Sequence, residues 1–274
     1  MRPPRSSQTI AAITTALLVL LPRLVSSVDI TRDPELVAKL RASASNLDRR
    51  ALLANDSDWL YDFTLQRTYT FAPGGVSNAN AATFPATVGQ GMTMAVLNLG
   101  PCSMLPMHWH PRGSNYVYAV HGTTATYMIN ENSFGVVKQV LTPGKMTVFP
   151  QASLHMMMNI GCTNAQLVSA LNTEDTGTTN LATALALLSP DLVNAALGYQ
   201  DFLGASGGSG NSSATAKIWP VGTGSNWGPE ACRKVCAGKQ KVEDQTGSCG
   251  PPAPSGDRDS SANDESEWLY TSEW

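Results

Sequence analysis

Two stretches decide how this chain reads: His108-Trp109-His110-Pro111, which leads on to Gly122, and Gly144-Lys145-Met146-Thr147-Val148-Phe149-Pro150-Gln151-Ala152-Ser153-Leu154-His155-Met156-Met157-Met158-Asn159. Alternate residues of a β-strand point to one face, so a strand carrying His108 and His110 sends both imidazoles to the same side. That spacing alone is weak evidence. Its weight comes from the rest of the set: Gly122 lies twelve residues beyond His110, and Gly144, Pro150, His155 and Asn159 are separated by five, four and three residues. Three of the chain's four histidines fall into this pattern. Imidazole is the commonest metal ligand among side chains, so the pattern predicts one cation shared by His108, His110 and His155. His121 directly precedes Gly122 and has the wrong parity for the set, so it is read as structural.

Around these stretches, from Trp59 to about Leu171, the chain runs in short segments rich in Val, Thr, Tyr and Phe, broken by Gly, Pro and Asn. Such texture marks an antiparallel all-β domain. Strands are predicted over 59–63, 68–71, 92–99, 115–120, 123–129, 136–141, 146–149, 155–160 and 166–171. That number suits a jelly roll or small barrel, which protects its sheet edges. Upstream, Asp33-Pro34-Glu35 supplies a cap and a first-turn proline, followed by Leu36, Val37, Leu40 and Leu47, which predicts a bracing helix over about 34–44. Downstream, 181–203 turns helical, and Ser189-Pro190-Asp191 with Gly198 predicts two short helices split at Pro190.

The motif residues resemble those of the cupin superfamily, specifically its secreted germin-like and spherulin-like branch, over about residues 30–203. The family motifs read G-x5-H-x-H-x3,4-E-x6-G and G-x5-P-x-G-x2-H-x3-N. His108, His110, Gly122, Gly144, Pro150, His155 and Asn159 match, whereas Ala152 replaces the inner glycine and Asn115 stands where the family has a glutamate ligand. The resemblance implies an all-β jelly-roll barrel with an N-terminal helical brace and short C-terminal helices. It also implies a divalent transition metal, manganese in the germin branch, on His108, His110 and His155 with Asn115 at the fourth position. A neutral amide in place of a carboxylate weakens a hard cation such as manganese more than a metal content with imidazoles, so zinc, copper or iron enter the reading, as does an empty site. The function implied is that of a secreted metal-binding protein. The alternatives are an oxalate oxidase or superoxide dismutase, or a dioxygenase, cyclase or isomerase acting on a small organic molecule. The resemblance also implies assembly of copies through barrel faces and C-terminal helices. Leu192, Val193, Ala196 and Leu197 fit such a surface, and fit equally well a cover for the barrel of a monomer.

Cys102 lies six residues before His108, and Cys162 lies seven after His155. If those strands pair antiparallel through their histidines, the two thiols meet. A Cys102–Cys162 disulfide is expected, with a pair of buried free thiols as the alternative. Cys232, Cys236 and Cys249 are expected to close a small knot of their own. Met104, Met107 and Met156 to Met158 crowd the same region and read as adaptable packing before soft-metal ligands.

Residues 1–27 carry Arg2 and Arg5, an apolar run from Ile10 to Leu21, and small residues ending at Ser27, the pattern of a cleaved export signal. The run is too short to span a bilayer. The expected division is 1–27 signal, 28–203 barrel domain, 204–252 Gly/Ser linker with a small cysteine segment, and 253–274 acidic mobile tail. Without the signal the chain keeps 15 basic against 21 acidic side chains. A nucleic-acid or anionic-membrane partner does not fit that balance. Asn55-Asp56-Ser57 and Asn211-Ser212-Ser213 match the glycosylation acceptor pattern.

Overall fold

In the computed structural model the described residues are 30–198 and 224–246. Helix α1 (Pro34–Ala42) starts on Asp33, whose side chain accepts the Leu36 N–H. Helix α2 (Asn46–Leu52) starts on a Ser45–Asp48 capping box. The N-terminal brace is thus two short helices, and Leu40, Leu53 and Val88 form a small core beneath them. Arg49, although charged, is buried there, its guanidinium donating to the carbonyls of Leu40 and Val88.

The barrel consists of strands β1 (Gly74–Ala79), β2 (Thr93–Leu99), β3 (Ser103–Trp109), β4 (Asn115–His121), β5 (Thr124–Ile129), β6 (Val137–Leu141), β7 (Met146–Phe149), β8 (Leu154–Asn159), β9 (Ala165–Leu171) and β10 (Thr179–Asn180). Two short helices follow, α3 (Leu181–Ala186) and α4 (Pro190–Leu197), the second capped by Ser189 and ended by Gly198 with φ 69°. A final strand β11 (Asn226–Trp227) precedes helix α5 (Glu230–Thr246). One sheet runs β1-β2-β9-β4-β7, the other β10-β3-β8-β5-β6, and β11 pairs with β3. Between them Leu97, Leu99, Leu105, Val117, Phe149, Met157 and Leu167 form the main core. The alternation that predicted strands is visible in β9, where Leu167, Ser169 and Leu171 are buried and their neighbours half-buried.

Two predicted strands are absent. Residues 59–63 and 68–71 are loop punctuated by single 3-10 turns at Asp56–Trp59 and Phe63–Leu65. The first strand is instead β1, the sequence Gly-Gly-Val-Ser-Asn-Ala, in which only Val76 favours a strand. Close backbone approach explains it: a Cβ on Gly75 would lie 2.2 Å from the Thr68 carbonyl oxygen, and one on Gly74 would lie 2.2 Å from that of Asn98.

The expected Cys102–Cys162 bridge is not formed. Cys102 pairs with Cys232 and Cys162 with Cys236. The two turns do converge, as the antiparallel argument required, with Cys102 N–H donating to the Gly161 carbonyl. However, α5 lays two cysteines one helical turn apart over that spot, and each takes one barrel thiol. The Cys102 and Cys236 sulfurs are also only 3.4 Å apart. The expected separate knot therefore does not form from Cys232 and Cys236, and Cys249 lies outside the described residues, as do the export signal, Asn211 and the acidic tail. Ahead of α5, Gly224 bridges Gly75 of β1 while β11 pairs with Met104 and Ser103 of β3, so this strap fills the gap between the two sheets.

Candidate functional site

Strands β3 and β8 pair with His108 opposite His155, and an irregularity between Leu105 and His108 resets the register just before the first histidine. His110 follows β3 directly. The three rings gather, with centroids 4.3 Å (His108–His155), 5.3 Å (His108–His110) and 5.4 Å (His110–His155) apart. One nitrogen from each lies within 4.8 Å of the others. Phe149 stacks on His155 at 4.2 Å and fixes its plane.

Tautomers follow from the second set of contacts. Each Nδ1 meets a backbone carbonyl: His108 to Pro106 at 2.7 Å, His110 to Gly177 at 2.7 Å, and His155 to Ser153 at 2.8 Å. A carbonyl only accepts, so each Nδ1 carries the proton and each Nε2 carries a lone pair. Burial pushes the His108 pKa down to about 4, and the neighbouring His110 adds to the shift. Burial, then His108 and His110, hold His155 well below its ordinary value. At neutral pH His108 and His155 are uncharged donors. The His155 Nε2 is buried with no hydrogen-bond partner.

Asn115 enters from β4 in the opposite sheet, 3 % exposed, and its Oδ1 is likewise buried without a partner. It lines the same cavity as His108 and His110, as do Asn78, Ser169, Thr176, Thr178 and Asn180. That space, about 40 Å³, holds roughly three waters. Sequence reading missed these five polar residues. For Ser169 the signal was present, since its parity in β9 matches the buried Leu167 and Leu171. His121 lies apart, exposed, stacked near Phe71 at 6.4 Å. Met157 lines the cavity as its parity required.

The remaining motif residues serve the backbone. Gly122 has φ 76°, and a Cβ there would meet Ala165 at 2.5 Å. Asn159 ties the β2–β3 and β8–β9 turns, donating to the carbonyls of Leu99, Gly100 and Thr163 and accepting from Gly161 N–H. Ala152 adopts φ 62° in the place where the motif has glycine, and its N–H donates to the His110 carbonyl.

The profile of the cupin family matches residues 63–201, about half of the chain. Spherulin-1A of Physarum polycephalum is 34 % identical over 166 residues, which cover 60 % of this chain and 67 % of that one. Germin-like protein subfamily 3 member 1 of Arabidopsis thaliana is 38 % identical over 103 residues, 37 % of this chain and 49 % of its own. Among solved structures, an oxalate oxidase superposes with TM-score 0.50 at 21 % identity, covering 54 % of this chain and 77 % of that one. A Bacillus subtilis oxalate decarboxylase mutant superposes with TM-score 0.52 at 19 % identity, covering 62 % and 41 %. At those identities the superpositions speak for the fold.

Proposed function

The chain belongs to the cupin family, with spherulins and germin-like proteins among its relatives, and on that premise we propose that it is a secreted protein holding one divalent transition metal on His108, His110 and His155. The observation that carries the reading is the buried, unpartnered His155 Nε2 in a ring set where one nitrogen each of His108, His110 and His155 lies within 4.8 Å of the others. A buried lone pair left without a partner costs about 1–3 kcal/mol, and a cation removes that cost. The neighbouring Asn115 Oδ1 is orphaned in the same way and makes a weak fourth donor. When bound, such an ion would supply a Lewis-acidic centre, and copper, iron or manganese, unlike zinc, a redox-capable one. The protein's part is to fix the three Nε2 lone pairs through the Nδ1–carbonyl bonds and to keep bulk water out. Manganese is the metal that the germin resemblance implies, but a donor set without a carboxylate favours zinc, copper or iron.

Metal analysis of purified protein, with titration of the apo form by Mn²⁺, Zn²⁺ and Cu²⁺, tests the reading. One metal per chain is expected, lost in His155→Ala; a chain that binds no metal at the histidines sinks it. The catalytic reading has narrower support: the cavity admits ligands of only a few heavy atoms, which favours superoxide or dioxygen over a larger organic molecule. Among the described residues no carboxylate lines it to assist oxalate chemistry. Assays for superoxide loss and for peroxide from oxalate distinguish these activities from metal binding alone. Export is supported by the N-terminal pattern of residues 1–27 and by two disulfides, which persist in oxidising compartments. Asn55 is exposed on a surface turn, where a glycan fits. No helix among the described residues is long and apolar enough to cross a membrane.

A further inference from the structure

We infer that small anions reach the histidine cavity across β1, through an outer pocket where Arg32 and Arg67 attract them; this rests on the metal reading above. Two observations join. Among the described residues no Asp, Glu, Lys or Arg lines the inner cavity, so a metal held on neutral imidazoles and Asn115 keeps its full charge and takes an anion to balance it. A second pocket, of about 340 Å³, lies outside β1 and shares two lining residues with the cavity, Val76 and Asn78. Both are half-buried, so they form the partition between the two spaces.

The outer pocket has Arg32 and Arg67 in its wall and, among the described residues, no acid. Elsewhere Arg41, Arg50 and Arg112 each sit in an ion pair, with Glu174, Asp56 and Asp175. Arg32 instead donates to the neutral Gln66 amide oxygen at 2.9 Å, and neither Arg32 nor Arg67 joins an ion pair among the described residues. The nearest acids in sequence are engaged locally. Asp33 accepts the Leu36 N–H, and Asp62 accepts from the N–H and hydroxyl of Thr64. Positive charge with no ion-pair partner among the described residues, at the mouth of a neutral-walled cavity, raises the local concentration of anions and speeds their entry.

Stopped-flow mixing of azide with the Co²⁺-loaded full chain, followed by the cobalt absorption bands, tests the route. In the Arg32→Gln/Arg67→Gln double variant the association rate constant falls roughly tenfold at low ionic strength and loses its salt dependence, with Co²⁺ stoichiometry unchanged. Val76→Phe slows entry and Val76→Ala speeds it. The proposal is overturned if the double variant keeps the wild-type rate and salt dependence, or if a folded Val76→Phe takes up azide at the wild-type rate. The arginine variants change only exposed side chains, so they decide the matter even if the Val76 variants fail to fold. Failure of wild-type protein to bind Co²⁺ sinks the metal reading and this one with it, whereas bound Co²⁺ with unaltered azide kinetics sinks this one alone.

Discussion

At the residue scale the convergence of His108, His110 and His155 was legible because strand parity and motif spacing fix direction and distance together. The backbone carbonyls that set their tautomers were not, since they come from the β3 irregularity, the turn before β8 and the distant Gly177. Asn115 was legible as a substitution, and the structure adds that it is buried and unpartnered. Asn115→Glu should raise Mn²⁺ affinity while lowering apo stability by several kcal/mol, because the new carboxylate is buried without a partner. Thermal melts with and without Mn²⁺ check both signs. Ala152 holds φ 62°, a conformation that suits glycine, so Ala152→Gly should stabilise the protein by about 1 kcal/mol in urea unfolding. The acid response also has a definite sign. His108 has a folded pKa near 4 against 6.5 unfolded, so the unfolded chain binds more protons between those values. Its contribution to apo stability is complete above about pH 6.5 and is lost as pH falls to 4, a change of about 3 kcal/mol, with His155 acting in the same direction. Urea midpoints of the apo protein at pH 7 and pH 4.5 should differ accordingly, and an unchanged midpoint would contradict the buried, neutral histidines.

Elements were read well where burial produces alternation and poorly where the chain packs by absence of side chain. β2, β4, β5, β6, β7, β8 and β9 fall within a residue or two of expectation, whereas β1 carries two glycines and no β-branched residue except Val76. Its pairing depends on backbone proximity that no propensity scale reports. Gly75→Ala should cost about 2–4 kcal/mol, since the Thr68 carbonyl it would strike is backbone and cannot turn aside. The spacing of Cys102 and Cys162 about the histidines carries no sign of α5, whereas the four-residue step from Cys232 to Cys236 places two thiols on one helical face, and each takes one barrel thiol. Replacing both helix cysteines with serine should lower stability by a few kcal/mol and expose the α5 backbone to hydrogen exchange while leaving the metal stoichiometry intact.

For the whole molecule the outer face of the β2-β9-β4-β7 sheet is the feature that calls for a partner. Met94, Ala170, Tyr116 and Val148 stand abreast in register, with Val96, Val168, Tyr118 and Met146 abreast beside them, and no charged side chain interrupts these rows. Met94, Tyr116, Tyr118 and Met146 are each about half exposed. Exposed apolar patches of this kind mark interfaces, and we expect copies of the chain to associate through this face. Of the C-terminal residues that the sequence offered for the same role, Val193 is buried in the fold while Leu192 is exposed. Light scattering should give more than one chain per particle, and Tyr118→Lys with Met146→Lys should return a monomer. The strap has a further consequence for biosynthesis. The seam between β1 and β3 is sealed by residues 224–228, which leave the ribosome after both strands and all three histidines. A nascent chain halted near residue 198 would already hold its histidines yet present two raw strand borders, the kind that recruit neighbouring chains into aggregates.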